Sequence, residues 1–249
     1  MAGTAVLGRL TWQVGRVIDT SPETPRVKSL SIDLAEWRGH RAGQHVDIRL
    51  TAEDGYQAVR SYSIASPPEE PAVTVTIEKL DDGEVSPYLV DEVRSGDELE
   101  VRGPIGGYFV WDTSEGGPLF LVAGGSGIVP LMAMIRHRVA ADGEVPITLL
   151  YSVRSPEDVI YRAELERLSS VHGITVIFTF TRSQPPGWTG YRRRIDRALL
   201  GEVAPALSTQ PLSYVCGPTS LVEEVATGLM TLGYEPARIR TERFGPTGR

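Results

Sequence analysis

The stretch Gly124-Gly125-Ser126-Gly127-Ile128-Val129-Pro130 decides the fold of this chain. It follows an apolar run, Leu119 to Ala123, that is typical of a buried strand, and it opens a helical pattern that extends to Val139. The first amides of a helix carry a partial positive charge, and glycine lets a backbone approach a ligand closely. The sequence therefore predicts a phosphate-binding loop for a dinucleotide, and the alternative is a tight turn that binds no ligand. The predicted contacts are Gly125, Ser126, Gly127, Ile128 and Pro130.

The chain after this loop alternates strand and helix patterns. Predicted strands cover residues 119–123, 147–151, 174–180, 212–215 and 239–244, and predicted helices cover residues 129–139, 156–168 and 220–232. This alternation predicts a parallel sheet with helices on both faces.

The chain before the loop has a different pattern, in which apolar and polar residues alternate. Predicted strands cover residues 12–19, 27–33, 45–50, 73–78 and 97–101. Because glycine and proline separate them at short intervals, they predict a small antiparallel barrel. The pattern changes at Ser114-Glu115-Gly116-Gly117-Pro118, so we expect a β domain over residues 1–114 and an α/β domain over residues 115–249.

The composition excludes several classes of protein. The chain has 249 residues, of which 41% are hydrophobic, and its net charge of −7 with no long basic tract argues against nucleic-acid binding. Cys216 is the only cysteine, which excludes an intrachain disulfide and an iron–sulfur cluster held by this chain. The four histidines have no ligand spacing, so no metal site is predicted. No apolar run approaches the roughly 18 residues of a membrane helix, and the N-terminal segment lacks a secretory pattern. We expect a cytoplasmic protein without membrane insertion.

The densest basic cluster is Arg192-Arg193-Arg194 with Arg197. It is either the solvated start of a helix or a docking patch for an acidic protein.

Residues at the ends of the second and third strands of the α/β domain should select the nicotinamide nucleotide. Arg154 and Arg182 provide cations there, and Ser152 provides a hydrogen-bond donor. Because cations suit a 2′-phosphate, the sequence favours NADPH over NADH, with NADH still possible. Glu157 and Asp158 complicate this interpretation, but acids near a helix N-terminus ordinarily complement its dipole.

The stretch Arg60-Ser61-Tyr62-Ser63 has the groups that a flavin nucleotide requires. Tyr62 can stack on a flat ring, Ser63 can hydrogen-bond to it, and Arg60 can pair with a phosphate. We expect irregular strand pairing here. Downstream, Gly83 to Leu89 is typical of a second helix start near phosphate, and Gly103 to Phe109 is a tight glycine-rich turn.

Together these motifs resemble those of the ferredoxin–NADP reductase superfamily, in family order and over nearly the whole chain. The matching motifs are Arg-x-Tyr-Ser at Arg60 to Ser63, Gly-x-x-Ser at Gly83 to Ser86, the turn Gly103 to Phe109, the loop Gly124 to Pro130, Cys-Gly-Pro at Cys216 to Pro218, and Glu-x-Phe at Glu242 to Phe244. The resemblance implies a six-stranded antiparallel flavin barrel followed by a Rossmann-like nicotinamide domain.

The resemblance also implies roles for individual residues. Cys216 would border the carbon that donates the hydride, Ser63 would hydrogen-bond the flavin nitrogen that receives it, and Glu242 would position the nicotinamide or relay a proton. Phe244 would cover the flavin face opposite Tyr62, although five residues follow it, whereas a tyrosine ends the plant-type chains. The other implied contacts are Ile77, Gly83, Val85 and Ser86 for the flavin nucleotide and Gly217 and Pro218 for the nicotinamide.

The resemblance implies FAD rather than FMN, and electron transfer to an external acceptor. That acceptor would be a separate redox protein: a ferredoxin, an oxygenase component, a haem protein or a molybdenum enzyme. Two alternatives stay open, namely a free-flavin or quinone reductase, and a non-catalytic electron-transfer subunit of a larger complex. In one such subunit a cysteine cluster follows the nicotinamide domain, and this chain has none.

Overall fold

The computed structural model describes residues 10–206, 209 and 211–245. Within this part of the chain two sheets follow one another, a six-stranded antiparallel sheet and then a five-stranded parallel sheet. This arrangement agrees with the predicted fold class. Every helix in the described part of the chain falls short of the length and apolar character that a membrane crossing requires.

The first sheet has the strand order β4-β3-β6-β1-β2-β5. Its strands are β1 Gln13–Thr24, β2 Val27–Asp33, β3 His45–Thr51, β4 Gln57–Ser63, β5 Val73–Glu78 and β6 Glu98–Ile105. A single bridge between Ile64 and Val75 joins the end of β4 to β5, so the two outer strands meet and the sheet closes into a barrel. Alternate apolar side chains fill its interior, as their period of two predicts.

Three features of the barrel strands differ from the prediction: β4 lies outside the predicted strand ranges, β6 continues beyond Val101 to Ile105, and β1 is longer than expected. β1 continues to Thr24, five residues beyond the predicted end of this strand at Asp19. The register with β2 shifts at Val17/Asp19 and again at Pro22/Thr24. Pro22 lies where β1 pairs with β2 alone, an edge position that tolerates a residue without an amide donor.

The second sheet has the strand order β11-β10-β7-β8-β9, with all neighbouring pairs parallel. Its strands are β7 Leu119–Gly124, β8 Ile147–Val153, β9 Thr175–Phe180, β10 Leu212–Pro218 and β11 Ile239–Phe244. The helices are α1 Ser86–Asp91, which belongs to the barrel, and α2 Ile128–Ala140, α3 Arg162–His172, α4 Arg197–Val203 and α5 Thr219–Thr231. Helices α2 and α3 share a core with one face of the sheet, and α4 and α5 with the other.

The helix predicted over residues 156–168 is wrong at its N-terminal end. Pro156–Asp158 forms a separate 3₁₀ turn, and α3 begins only at Arg162. Between them Tyr161 has a left-handed backbone with φ 59°, which interrupts the helix. Its buried side chain reaches the barrel, so a tertiary contact overrides the local helical pattern.

The barrel packs against the face of the parallel sheet that carries α2 and α3. Trp111 is fully buried in the core that α2 and α3 share with the sheet. At the same junction the Tyr214 hydroxyl donates to the Val110 carbonyl over 2.9 Å. Arg240 of β11 pairs with Glu115, in the segment between the two sheets, at 2.7 Å. The barrel interior is a core of its own, and a second core at the junction joins barrel-side residues to α2, α3 and the parallel sheet.

Candidate functional site

The glycine-rich loop lies where the order of the parallel sheet reverses. After β7 the chain adds β8 and β9 on one side and later β10 and β11 on the other, so the carboxyl ends of β7 and β10 flank a crevice. Such a switch point is where open α/β sheets bind their ligands. The loop residues Gly125–Gly127 form a 3₁₀ turn that leads directly into α2.

Two glycines of the loop are required for different reasons. Gly125 has φ 54°, and nothing lies within 4 Å of the position that a Cβ would occupy, so the backbone borders open space. A Cβ on Gly127 would lie 2.1 Å from the carbonyl oxygen of Cys216. The loop is therefore open where a phosphate would approach, and it is packed tightly against the end of β10. Ser126, between the two, is half-buried, while Ile128 and Pro130 are buried at the start of α2.

A tyrosine that the sequence reasoning missed supports this loop. The Tyr151 hydroxyl donates to the Gly125 carbonyl over 3.1 Å and accepts from the Ile160 amide over 3.4 Å. Tyr151 lies at the end of a predicted buried strand, and a tyrosine in such a place requires a hydrogen-bond partner. That requirement was the available signal, but it does not identify the partner.

Cys216 and Glu242 face one another on neighbouring strands. They are partners in the register of β10 and β11, and Cys216 Sγ lies 3.8 Å from Glu242 Oε2. Burial raises the pKa of Glu242 to about 7. Burial and the nearby Glu242 raise the pKa of the Cys216 thiol, so the sulfur stays protonated. The pair thus places a neutral thiol beside a carboxyl group that can exchange a proton near neutral pH.

The Cys-Gly-Pro and Glu-x-Phe motifs continue from Cys216 and Glu242 to the ends of β10 and β11. Gly217 is buried, and a Cβ there would lie 3.2 Å from the backbone of Gly124, so the ends of β7 and β10 are in close contact. Pro218 is the register partner of Phe244, and both are exposed at the carboxyl edge of the sheet. The Phe244 ring is therefore available to a planar ligand. Residues 246–249 of the C-terminal tail lie outside the described residues.

On the barrel, the Arg-x-Tyr-Ser residues lie at the end of β4. Tyr62 is half-buried opposite Val46, and burial raises its pKa to about 12. Ser63 is half-buried opposite His45, and the register from this pair to the far end of the strand is regular. The expected irregular pairing is therefore wrong. Because residues two apart share a face of a strand, Arg60 and Tyr62 lie on the same side of β4 without any bend.

Arg60 already has an anionic partner. Its Nη2 lies 2.5 Å from Glu84 Oε2, and the Tyr56 hydroxyl donates to Glu84 Oε1 over 3.0 Å. Glu84 lies inside the predicted Gly-x-x-Ser turn, between Gly83 and Ser86. The carboxylate thus stands beside the arginine predicted to bind a phosphate. Nothing in the local sequence indicated this contact.

The rest of the Gly-x-x-Ser turn forms as predicted, at the start of α1. The Ser86 hydroxyl accepts from the Leu80 amide over 3.0 Å, and a Cβ on Gly83 would lie 2.8 Å from that oxygen. Val85 and Ile77 are fully buried in the barrel core, so only their backbone groups can face a ligand.

Arg154 and Arg182 lie together at the carboxyl ends of β8 and β9. The Arg182 amide donates to the Arg154 carbonyl over 2.9 Å, and both side chains are exposed. Ser152, two residues before Arg154, is buried. Asp158 accepts from the Ser155 hydroxyl over 2.9 Å, so this acid is engaged within its own turn rather than with the two arginines.

The basic cluster before α4 is partly neutralised. Arg193 lies 2.8 Å from Glu202 and 3.6 Å from Asp196, and Arg197 is the first residue of α4. This placement agrees with the start of a solvated helix. Among the described residues no group of three or more histidine, cysteine or acidic side chains could hold a metal ion.

Comparison with known proteins matches both halves of the chain to families. Residues 17–110 match the family of oxidoreductase FAD-binding domains, and residues 121–227 match that of oxidoreductase NAD-binding domains. The ferredoxin–NADP reductase B of Sorangium cellulosum is 32% identical over 240 residues, which cover 92% of this chain and 96% of that protein.

A second relative is a glycine betaine monooxygenase reductase subunit of Pseudomonas aeruginosa. It is 35% identical over 210 residues, which cover 83% of this chain but only 57% of the relative. The chain therefore spans little more than half the length of that protein. Among solved structures, the FAD/NAD-binding domain of nitric oxide dioxygenase from Vibrio cholerae has a TM-score of 0.84 at 23% identity, covering 94% of this chain and 99% of that domain. It shows the same fold.

Proposed function

Because this chain belongs to the ferredoxin–NADP reductase superfamily, we propose that it is an NAD(P)H-dependent flavoprotein reductase that passes electrons from FAD to a separate redox protein. The observation that carries the proposal is the Cys216–Glu242 pair beside the phosphate loop, on the face of the sheet that packs against the barrel. A relative that is named as the reductase subunit of a monooxygenase supports an oxygenase component or its ferredoxin as the acceptor.

The residues present fit both cofactors. Open space borders Gly125, and Arg154 and Arg182 form no ion pair among the described residues, so the nucleotide edge of the sheet offers free cations and amides. The half-buried ring of Tyr62 and the exposed ring of Phe244 provide two aromatic surfaces for a flat cofactor. FAD supplies the redox chemistry, which the side chains of this protein do not.

The chain's own residues would bind, orient and move a proton. Ser63 would donate a hydrogen bond to the reactive ring nitrogen of the flavin, and Cys216 would pack against the nicotinamide as an uncharged, compact group. Glu242 would hold or release a proton near neutral pH, because burial places its pKa at about 7. None of these side chains would form a covalent bond to substrate.

An anaerobic absorbance titration of the FAD-loaded protein, first with NADPH and then with NADH, tests the hydride path. We expect bleaching of the flavin band at a lower concentration of NADPH than of NADH. Equal or better bleaching by NADH would keep the reductase and overturn the preference for NADPH. Failure to retain FAD would overturn the flavoprotein assignment.

Turnover with different acceptors tests the second half of the proposal. A plant-type ferredoxin, free FMN and a soluble quinone are offered to the reduced protein. Faster reduction of the iron–sulfur protein supports a protein acceptor, and faster reduction of FMN or quinone replaces it with a diffusible one.

We also propose that the domain boundary lies at Ser114/Glu115, inside the segment that joins β6 to β7. A cytoplasmic location, where the nicotinamide nucleotides are held, fits the same function.

A further inference from the structure

One arginine of α2 contacts both halves of the molecule. Arg136 Nη1 donates to the carbonyl oxygen of Ala65, at the end of the barrel, over 2.7 Å. Its Nε and Nη2 donate to the two carboxylate oxygens of Glu164 on α3, over 3.0 and 2.6 Å. The guanidinium carbon also lies 4.8 Å from the ring centroid of Tyr161. The Arg136 side chain is only 20% exposed, so these contacts are largely shielded from water.

Tyr161 continues the connection into the barrel. Its hydroxyl donates to Thr76 Oγ1 over 2.5 Å, and Thr76 Oγ1 lies 2.8 Å from Ser29 Oγ. Tyr161 is buried and has φ 59°, a conformation that costs free energy for a residue other than glycine. Such a backbone persists only where its surroundings hold it, and here they are Arg136 on one side and Thr76 on the other.

These contacts join the two predicted cofactor sites by a short path. Arg136 is on the helix that begins at the phosphate loop, and Ala65 follows Ser63 by two residues. Thr76 precedes Ile77, which the family resemblance implies as a flavin contact. Resting on the proposed function, we propose that Arg136 is a positioning residue for hydride transfer, which fixes the end of the flavin strand relative to the nucleotide helix.

Hydride transfer makes such a residue necessary. The two reacting atoms must approach to about 3–3.5 Å, and a misplacement of about 1 Å can cost roughly 100-fold in rate. The two atoms belong to cofactors held by different sheets, so their separation depends on contacts across the junction. A guanidinium can serve the Ala65 carbonyl and the Glu164 carboxylate at once, because its donors have a fixed fork geometry. A lysine at this position would keep the charge and lose that geometry.

The barrel contains a matched arginine for comparison. Arg49 donates to both carboxylate oxygens of Glu100 over 2.9 and 2.6 Å, and its guanidinium carbon lies 4.3 Å from the Trp12 ring centroid. Its side chain is also 20% exposed. All these partners belong to the barrel and the segment that leads into it, so Arg49→Lys removes the same kind of fork without touching the junction.

The test compares Arg136→Lys with Arg49→Lys in the full, FAD-loaded chain. Anaerobic stopped-flow mixing gives the rate of flavin reduction at saturating NADPH and the concentration for half-saturation. We expect Arg136→Lys to lower the saturating rate by about tenfold or more, since cofactor alignment is lost. Half-saturation should change by less than about twofold, because neither nucleotide contact nor flavin contact is removed. Arg49→Lys should keep the rate within about twofold of the wild type.

Hydrogen exchange of the cofactor-free proteins gives a second readout that requires no turnover. Residues 64–78 should exchange faster in Arg136→Lys than in wild type, whereas Arg49→Lys should leave them unchanged. Equal rates and equal exchange in the two variants would overturn the positioning role. If Arg136→Lys does not fold, Glu164→Ala, which removes the carboxylate that orients the Arg136 guanidinium, decides by the same two criteria. If the wild type is not reduced by either nucleotide, the proposed function fails, and the positioning role for hydride transfer fails with it. The exchange experiment is independent of that result. Unchanged exchange of residues 64–78 in Arg136→Lys would show only that Arg136 does not hold this part of the barrel in place.

Discussion

At the scale of single residues, the environment of each side chain decides its chemistry. Arg154 and Arg182 are exposed and without ion pairs among the described residues, while Arg60 shares its charge with Glu84. Glu242 is half-buried, and this burial raises its pKa to about 7. The three arginines therefore have different expected roles, and single substitutions can distinguish those roles.

Arg154→Ala should shift the preference between the two nicotinamide nucleotides. A hydrogen bond to a charged group contributes about 1.5–3 kcal/mol, so the ratio of kcat/KM for NADPH to that for NADH should fall by about 10- to 150-fold. The control is Arg162→Ala, an exposed arginine of α3 that pairs with Glu166. An unchanged ratio in Arg154→Ala, or an equal change in the control, would contradict the assignment.

Glu84→Gln should bind FAD more tightly. The carboxylate pairs with the Arg60 guanidinium, which we expect to bind a phosphate of FAD, so its neutralisation frees the cation. Exposed pairs contribute about 0–1 kcal/mol, which corresponds to a gain of up to about fivefold in affinity. Quenching of flavin fluorescence measures the affinity, and Glu166→Gln is the control because it disrupts an exposed pair elsewhere. Weaker binding by Glu84→Gln would show that the carboxylate itself helps to hold the cofactor.

Glu242 should make stability depend on pH in a defined direction. Its pKa rises from 4.5 to about 7 on folding, so between these values the folded state holds more protons than the unfolded state. The contribution of Glu242 to stability is complete below the lower value and is lost as the pH rises through the upper one. The free energy of unfolding of Glu242→Gln should therefore gain on the wild type by up to about 3 kcal/mol between about pH 5 and pH 8.

Urea unfolding of the cofactor-free proteins across that pH range measures the difference. Glu224→Gln, at an exposed position on α5, should show no such pH-dependent gain. A difference that stays constant with pH for Glu242→Gln would refute the raised pKa.

At the scale of elements, the phosphate loop is fixed by close packing against the end of β10. Gly127→Ala should destabilise the protein by about 1–3 kcal/mol, because its Cβ would lie 2.1 Å from the Cys216 carbonyl and two backbones would have to separate. Gly107→Ala is the control, since nothing lies within 4 Å of the added atom. The midpoint of urea unfolding measures both. Equal midpoints would mean that the loop can move away from β10.

At the scale of the whole molecule, a buried junction connects the barrel to the parallel sheet. Ala42, Ala65, Phe109 and Trp111 from the barrel side are buried with the residues of α2 and the sheet. We therefore expect one cooperative unfolding transition, with coincident midpoints by tryptophan fluorescence and far-ultraviolet circular dichroism. The hydrogen bond of Tyr214 and the ion pair of Arg240 to the segment before β7 also couple the two sheets during unfolding. Two separate transitions would show that the junction contributes little.

The sequence by itself determined the two sheets and the motifs that the structure brings to their edges. Period-two alternation predicted the barrel strands other than β4, and the strand–loop–helix pattern around Gly124 to Pro130 predicted the parallel sheet, because both signals arise from neighbours in the chain. Errors appeared where a distant contact overrides the local pattern. The left-handed Tyr161 delays α3, and the bulges of β1 carry the strand past Asp19.

Only the tertiary structure decided which side chains face one another. The Arg60–Glu84, Cys216–Glu242 and Arg136–Ala65 contacts join residues 24, 26 and 71 positions apart. No local pattern encodes such a pairing, because it depends on strand register and on how the barrel packs against the sheet. The burial that raises the pKa of Glu242 also exists only after the sheets have assembled. The residues of the candidate site could thus be read from the chain, but their charge states and their partners follow from the folded structure.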